Sequence, residues 1–185
     1  MADILLIHSV RGLRDLERDA AGRLRAEGHV VATPDLFDGR TADTAEAGMA
    51  IAEALGPERV AAAAAAATLP GDAVLAGLSG AFVACGLLAD RPAAAGLVLL
   101  HGPGPIPAGV RPGLPAQWHM AEPDPFDDED FLAAWQDDVR AAGVALDAFR
   151  YPGAGHLFTD PSLPDHDATA AAALWRRATD FLAAL

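Results

Sequence analysis

Apolar residues fall along this chain in two alternating rhythms. Short runs with little polar interruption occur at 4–9 (ILLIHS), 29–36 (HVVATPDL), 72–78, 95–102 (AGLVLLHG), 116–122 (AQWHMAE) and 145–151 (ALDAFRY). Each has the length of a buried strand and is bounded by turn-forming residues. Between them, 13–27, 43–55, 57–68, 81–89, 127–142 and 167–184 space their apolar groups for helices. Gly28 stops the first of these, Asp38-Gly39 turns the chain after the second strand, and the glycines and prolines of 102–115 mark a loop. Ala61–Ala67 is low in complexity, but alanine has the best helix propensity, so the run is read as structure. Strands that alternate with helices and are apolar along their whole length predict a mostly parallel sheet covered on both faces. No repeat and no boundary interrupts the pattern, which predicts one domain over 1–185 with no separate cap domain.

In such a sheet, ligands sit at the carboxyl ends of the strands. The residues that follow the strands therefore carry the candidate chemistry. Ser9, Val10, Arg11 and Gly12 follow the first, Ser79 the third, Asp124 the fifth and His156 the last. Ser79 lies between Gly77 and Gly80 in VLAGLSGAF (74–82), and two readings stand side by side. It is either the N-cap of the following helix or a G-x-S-x-G-like nucleophile elbow that holds a hydroxyl above the sheet. The order Ser…Asp…His is that of a triad on an α/β-hydrolase sheet. A serine hydroxyl needs an imidazole to take its proton, and the imidazole needs a carboxylate on its far nitrogen. The backbone N–H groups of Val10 and Gly80 stand where an oxyanion would be met. Asp124 adjoins the acidic stretch DPFDDED, where Asp127 or Asp128 is expected to cap the next helix and leave Asp124 at the strand exit. His8, His101 and His119 lie on or beside strands and are read as structural, and Cys85 as a core thiol.

Charge narrows the classes. With 13 basic and 26 acidic residues the formal net charge is −13, which argues against nucleic acid and anionic membrane surfaces as partners. A single cysteine rules out an internal disulfide and fits a reducing cytoplasm. No apolar run has the length of a membrane span or a signal segment. Neither G-x-G-x-x-G nor G-K-[ST] follows a strand, so a nucleotide- or flavin-binding module is disfavoured. No metal-ligand spacing occurs, so neither cofactor nor metal is expected. A non-catalytic binding protein on the same fold is the competing class.

The quoted segments resemble the dienelactone hydrolase family of α/β-hydrolases over nearly the whole chain. HSVRGL matches the first-strand loop, GHVVATPDLFDGR the second-strand segment and GLSGAF the elbow. HMAEPDPF stands at the acid turn and YPGAGHLF, the most specific match, at the histidine turn. The resemblance implies a trimmed, doubly wound α/β-hydrolase fold of about six strands, a monomer or homodimer without cofactor, and an ester- or lactone-cleaving enzyme. It implies Ser79 as nucleophile, Asp124 as orienting acid, His156 as general base and acid, and Val10 and Gly80 as oxyanion donors. The name-giving enzymes carry a cysteine at the elbow and a glutamate on the first-strand loop, where this chain has Ser79 and Ser9. They also hold the substrate carboxylate with arginines, one of them four residues after the histidine, where this chain has Asp160. With Ser9, Arg11, Arg40 and Asp160 taken as the substrate rim, neutral small-molecule esters or lactones are the expected substrates.

Overall fold

The computed structural model describes residues 1–185 other than Thr68, Asp72 and Ser79, and of Leu78 the backbone alone. The chain runs β1 (Asp3–Ile7), α1 (Asp15–Ala26), β2 (Val30–Ala32), α2 (Ala45–Leu55), α3 (Pro57–Ala65), β3 (Val74–Leu78), then α4 (Ala81–Gly86) and β4 (Leu97–Leu100). It closes with β5 (Pro115–Glu122), α5 (Glu129–Ala141), β6 (Ala145–Pro152) and α6 (Ala168–Ala184). The six strands form one sheet in the order β2-β1-β3-β4-β5-β6, and each neighbouring pair is parallel. All carboxyl ends therefore share one edge.

Strand periodicity divides the apolar residues between two cores. Leu5, Ile7, Leu75, Leu97, Leu99, Trp118 and Met120 pack under α3, α4 and α5. Their neighbours Ile4, Leu6, Val74, Val98 and Leu100 point the other way, under α1 and α6. Burial on both faces is why β1, β3 and β4 carry no polar alternation.

Several elements are shorter than their apolar runs suggest, among them β2, α4 and β4, which spans Leu97–Leu100 of the expected 95–102. β2 ends at Ala32 because Pro34 has no N–H for the ladder and restricts the residue before it. Beyond it, Asp35 accepts from the N–H groups of Phe37 (2.9 Å) and Gly39 (2.6 Å) and turns the chain. α4 ends at Gly86 because the next turn tightens, with Leu88 N–H donating to Cys85 and Asp90 N–H to Leu87. Thr68 and Asp72, at the ends of the expected helix 57–68 and strand 72–78, lie outside the described residues. β6 is an edge strand and largely exposed.

The close approach of β3, α4 and β1 depends on missing side chains. A Cβ on Gly77 would lie 2.9 Å from the Ala81 nitrogen, and one on Gly80 would lie 2.6 Å from the His8 carbonyl oxygen. Neither backbone can yield as a flexible side chain would. Gly86, at the other end of α4, has nothing within 4 Å of that position. Gly77→Ala is therefore expected to cost about 2–3 kcal/mol by overpacking, whereas Gly86→Ala should stabilise by about 0.5–1 kcal/mol. Denaturant titration of the two variants checks the opposite signs.

Candidate active site

The fifth and sixth strands deliver two of the expected residues to one place. β5 releases the chain at Glu122, and the following turn buries the Asp124 carboxylate. Asp124 Oδ1 accepts from Phe126 N–H at 2.9 Å, and Oδ2 lies 2.7 Å from His156 Nδ1. An ionised carboxylate can only accept, so Nδ1 carries the proton and Nε2 is the free acceptor of the neutral ring. Burial pushes the Asp124 pKa up, but the hydrogen bonds from His156 and Phe126 outweigh it and hold the group below the usual carboxylate value. Asp127, partly buried beside Asp124, is pushed up. Asp128 caps α5 by accepting from Phe131 N–H at 2.8 Å, which leaves Asp124 free for His156.

The histidine turn is pinned from below. Phe158 is fully buried and packs edge-on against His101 at 4.8 Å between ring centroids. His101 Nε2 is 2.6 Å from Thr159 Oγ1, and burial holds this imidazole neutral, with a pKa of about 3. His101 also adopts a left-handed backbone (φ 67°), an uncommon conformation for a non-glycine residue. Above the ring, Phe126 meets His156 edge-on at 4.6 Å.

The loop after β1 is held by buried charge. Ser9 Oγ donates to Glu17 Oε1 at 2.8 Å, and Arg14 N–H donates to Glu17 Oε2 at 3.0 Å. His8 Nδ1–H donates to the Ser9 carbonyl (2.7 Å) while its Nε2 accepts from Leu36 N–H (3.0 Å), so both ring nitrogens serve the loops. Gly80 packs against the His8 carbonyl, which brings the elbow helix and the Val10 loop together. Ser79, the expected nucleophile, lies outside the described residues.

The structure corrects the rim reading for three residues. Ser9, Arg11 and Asp160 are all buried, and Asp160 is only 1% exposed. Asp160 lies 2.9 Å from Arg14 Nη2 and 3.8 Å from Arg11 Nη1, and it accepts from Ser162 N–H and Oγ–H. Arg11 also donates to the Asp43 carbonyl. Asp160 is thus a neutralised tie between the histidine turn and the Val10 loop, not an open charge meeting a substrate. Arg40 is exposed and bonds the Phe37 carbonyl at 3.2 Å. Glu17, Arg14 and Phe126 had no sequence signal; the N-cap of α1 is Arg14, not the Ser or Thr that marks a capping box in sequence. Cys85 is fully buried and its thiol is pushed up to about 12, as expected of a core thiol. Among the described residues, no cluster of three His, Cys, Asp or Glu is placed to hold a metal ion, and no helix is long and apolar enough to cross a membrane.

Burial raises the Asp160 pKa, but Ser162 and Arg14 more than offset it, so the folded value lies below the unfolded ~3.9. A depressed carboxylate stabilises the fold above its unfolded pKa, and that stability is lost as pH falls through the folded value. Asp160→Asn should therefore cost about 3 kcal/mol at pH 7, because it leaves buried arginine charge unpaired. The gap to the parent protein should narrow below about pH 4. Urea titrations at both pH values check this.

Comparison with known proteins agrees with this architecture. No curated protein sequence matches the chain. A dienelactone hydrolase-like promiscuous phosphotriesterase from metagenomic libraries superposes with a TM-score of 0.81 at 22% identity, over 100% of this chain and 87% of that one. A candidate dienelactone hydrolase from Klebsiella pneumoniae gives 0.77 at 18% identity, over 99% and 87%. The dienelactone hydrolase of Anabaena variabilis gives 0.65 at 18%, over 97% and 84%. These likenesses bear out the expected α/β-hydrolase sheet. The sequence itself matches the dienelactone hydrolase family over residues 2–185, so the chain belongs to that family and is an ester hydrolase.

Proposed function

We propose that this hydrolase cleaves small neutral carboxylic esters or lactones by way of an acyl-enzyme on Ser79. The observation that carries the reading is the buried Asp124 Oδ2–His156 Nδ1 contact of 2.7 Å, which leaves Nε2 as the one basic ring nitrogen. In this reading Nε2 takes the Ser79 hydroxyl proton as the oxygen attacks the ester carbonyl carbon. The oxyanion is met by the N–H groups of Val10 and Gly80. The intermediate collapses by breaking the bond to the leaving alkoxide, which takes the proton back from Nε2. Water then attacks the acyl-enzyme with the same base, releasing the acid and restoring Ser79. Asp124 stays ionised throughout and stabilises the imidazolium that forms in each half-reaction.

Substrate neutrality follows from the charges. The Arg11 guanidinium is buried between the Asp160 carboxylate and the Asp43 backbone carbonyl, and so is not presented to a substrate carboxylate. The acid turn adds Asp127 and Asp128 close to Asp124. A carboxylate-bearing lactone would meet this field without a matched bidentate arginine.

Ser79→Ala and His156→Ala should each lower kcat for p-nitrophenyl acetate by about 10³-fold or more, and the double variant should lose little beyond either single one. Asp124→Asn should lose roughly 10²–10⁴-fold. Steady-state kinetics on variants with unchanged circular dichroism check the set. Iodoacetamide at neutral pH is expected to leave activity intact, since the Cys85 thiol is buried and far above neutrality. Inactivation tracking alkylation of Cys85 would contradict the assignment of the nucleophile.

A further inference from the structure

Between α4 and α5 runs a groove of about 450 Å³ at the carboxyl edge of the sheet. Its walls are Phe82 on α4, the loop 103–106 after β4, and Phe131, Trp135 and Val139 on α5. Phe82 is 73% exposed and Phe131 49%, so two aromatic rings stand in water where α4 and α5 begin. Trp135 donates its Nε1–H to the Gly104 carbonyl at 2.8 Å, which uses its polar handle and leaves the ring as apolar wall. Asp138 is the only titratable group among the lining residues.

One wall of the groove packs on the first turn of α4, next in the chain to a proposed oxyanion donor. Gly104 packs so tightly on the start of α4 that a Cβ there would lie 2.5 Å from the Ala81 carbonyl oxygen. Ala81 directly follows Gly80, one of the two proposed oxyanion donors. The larger cleft between α1 and α6, about 570 Å³, is of another character. It is lined by Arg14, Asp15, Asp19, Arg23 and Asp160 on the other face of the sheet.

We infer that the α4–α5 groove is the subsite for the acyl chain of the ester, and that the substrate class is neutral esters with a linear apolar acyl group. The inference rests on the acyl-enzyme reading above and adds the group that it transfers. An apolar chain laid along Phe82, Ile106 and Phe131 leaves water, while its carbonyl stays at the Gly80 end. An acyl chain ending in a carboxylate would meet Asp138 and is rejected.

The test is the series of p-nitrophenyl esters from acetate to octanoate, with kcat/KM rising about threefold per added methylene. The ω-carboxylate analogue of the hexanoate should fall at least about tenfold below the hexanoate. Phe131→Asp, a change on a half-exposed ring at a capped helix start, should flatten the slope. Binding is read apart from turnover by titrating neutral methyl alkyl ketones of the same lengths against tryptophan fluorescence in Ser79→Ala. Affinity that rises with length, and fails to rise in Phe131→Asp, supports the subsite. Ester turnover with no dependence on length, or a slope unchanged in Phe131→Asp, overturns it while the hydrolase reading stands. If no ester is turned over, that reading falls, and the ketone titration alone decides the groove: length-independent binding overturns it.

Discussion

The central strands of a parallel sheet, buried on both faces, have no place for chemistry within them. Ile4 to Ile7, Leu75 and Leu97 to Leu100 are between 0 and 4% exposed, and they leave neither water nor spare polar groups along those stretches. Polar function is confined to the edge where all six carboxyl ends emerge. Everything that matters to the reaction depends on how firmly the loops on that edge are held. Glycine at 77, 80 and 104 lets the elbow helix settle against β1 and the loop after β4. The Asp124 carboxylate then needs only one strand's separation to reach His156, because β5 and β6 pair in register from Pro115–Ala145 to Glu122–Pro152.

The loops are held by charge placed where charge is expensive. Arg11, Arg14, Glu17 and Asp160 bring two positive and two negative groups together beneath the β1 exit, with Glu17 wholly buried and Asp160 nearly so. Arg11 Nε and Arg14 Nε find no partner among the described residues, so the cluster is not fully satisfied. Such a cluster is a poor source of net stability compared with apolar packing. What it does supply is position. Asp160 belongs to the histidine turn and Arg11 to the Val10 loop, so one set of ion pairs ties the His156 turn to the loop after β1. His101 does similar work from β4, holding Thr159 beside Phe158 with a ring that burial keeps neutral.

What the sequence revealed follows the same division. The sheet was legible because burial on both faces writes continuous apolar runs, and the strand exits could be searched because topology fixes where ligands sit. Asp124 was separable from its acidic neighbours because Asp128 stands one turn closer to α5 and caps it. β2 was misjudged because Pro34, just beyond it, cuts the apolar run short, and α4 because its run continues past Gly86 in tighter turns. The buried charge cluster was not legible at all. Arg11 and Asp160 are 149 residues apart in the chain, and nothing local distinguishes a carboxylate at a rim from one sunk beneath it. Glu17 looks like an ordinary first-turn acid of a surface helix.

The central claim is that Ser79 is made nucleophilic by the His156–Asp124 pair. It is tested most directly by treating the protein with a fluorophosphonate and locating the adduct by tandem mass spectrometry. The account predicts one covalent phosphonyl group on Ser79, formed slowly in His156→Ala and not in Ser79→Ala. A stoichiometric adduct on another residue, or labelling of Ser79 at the same rate without His156, would contradict it.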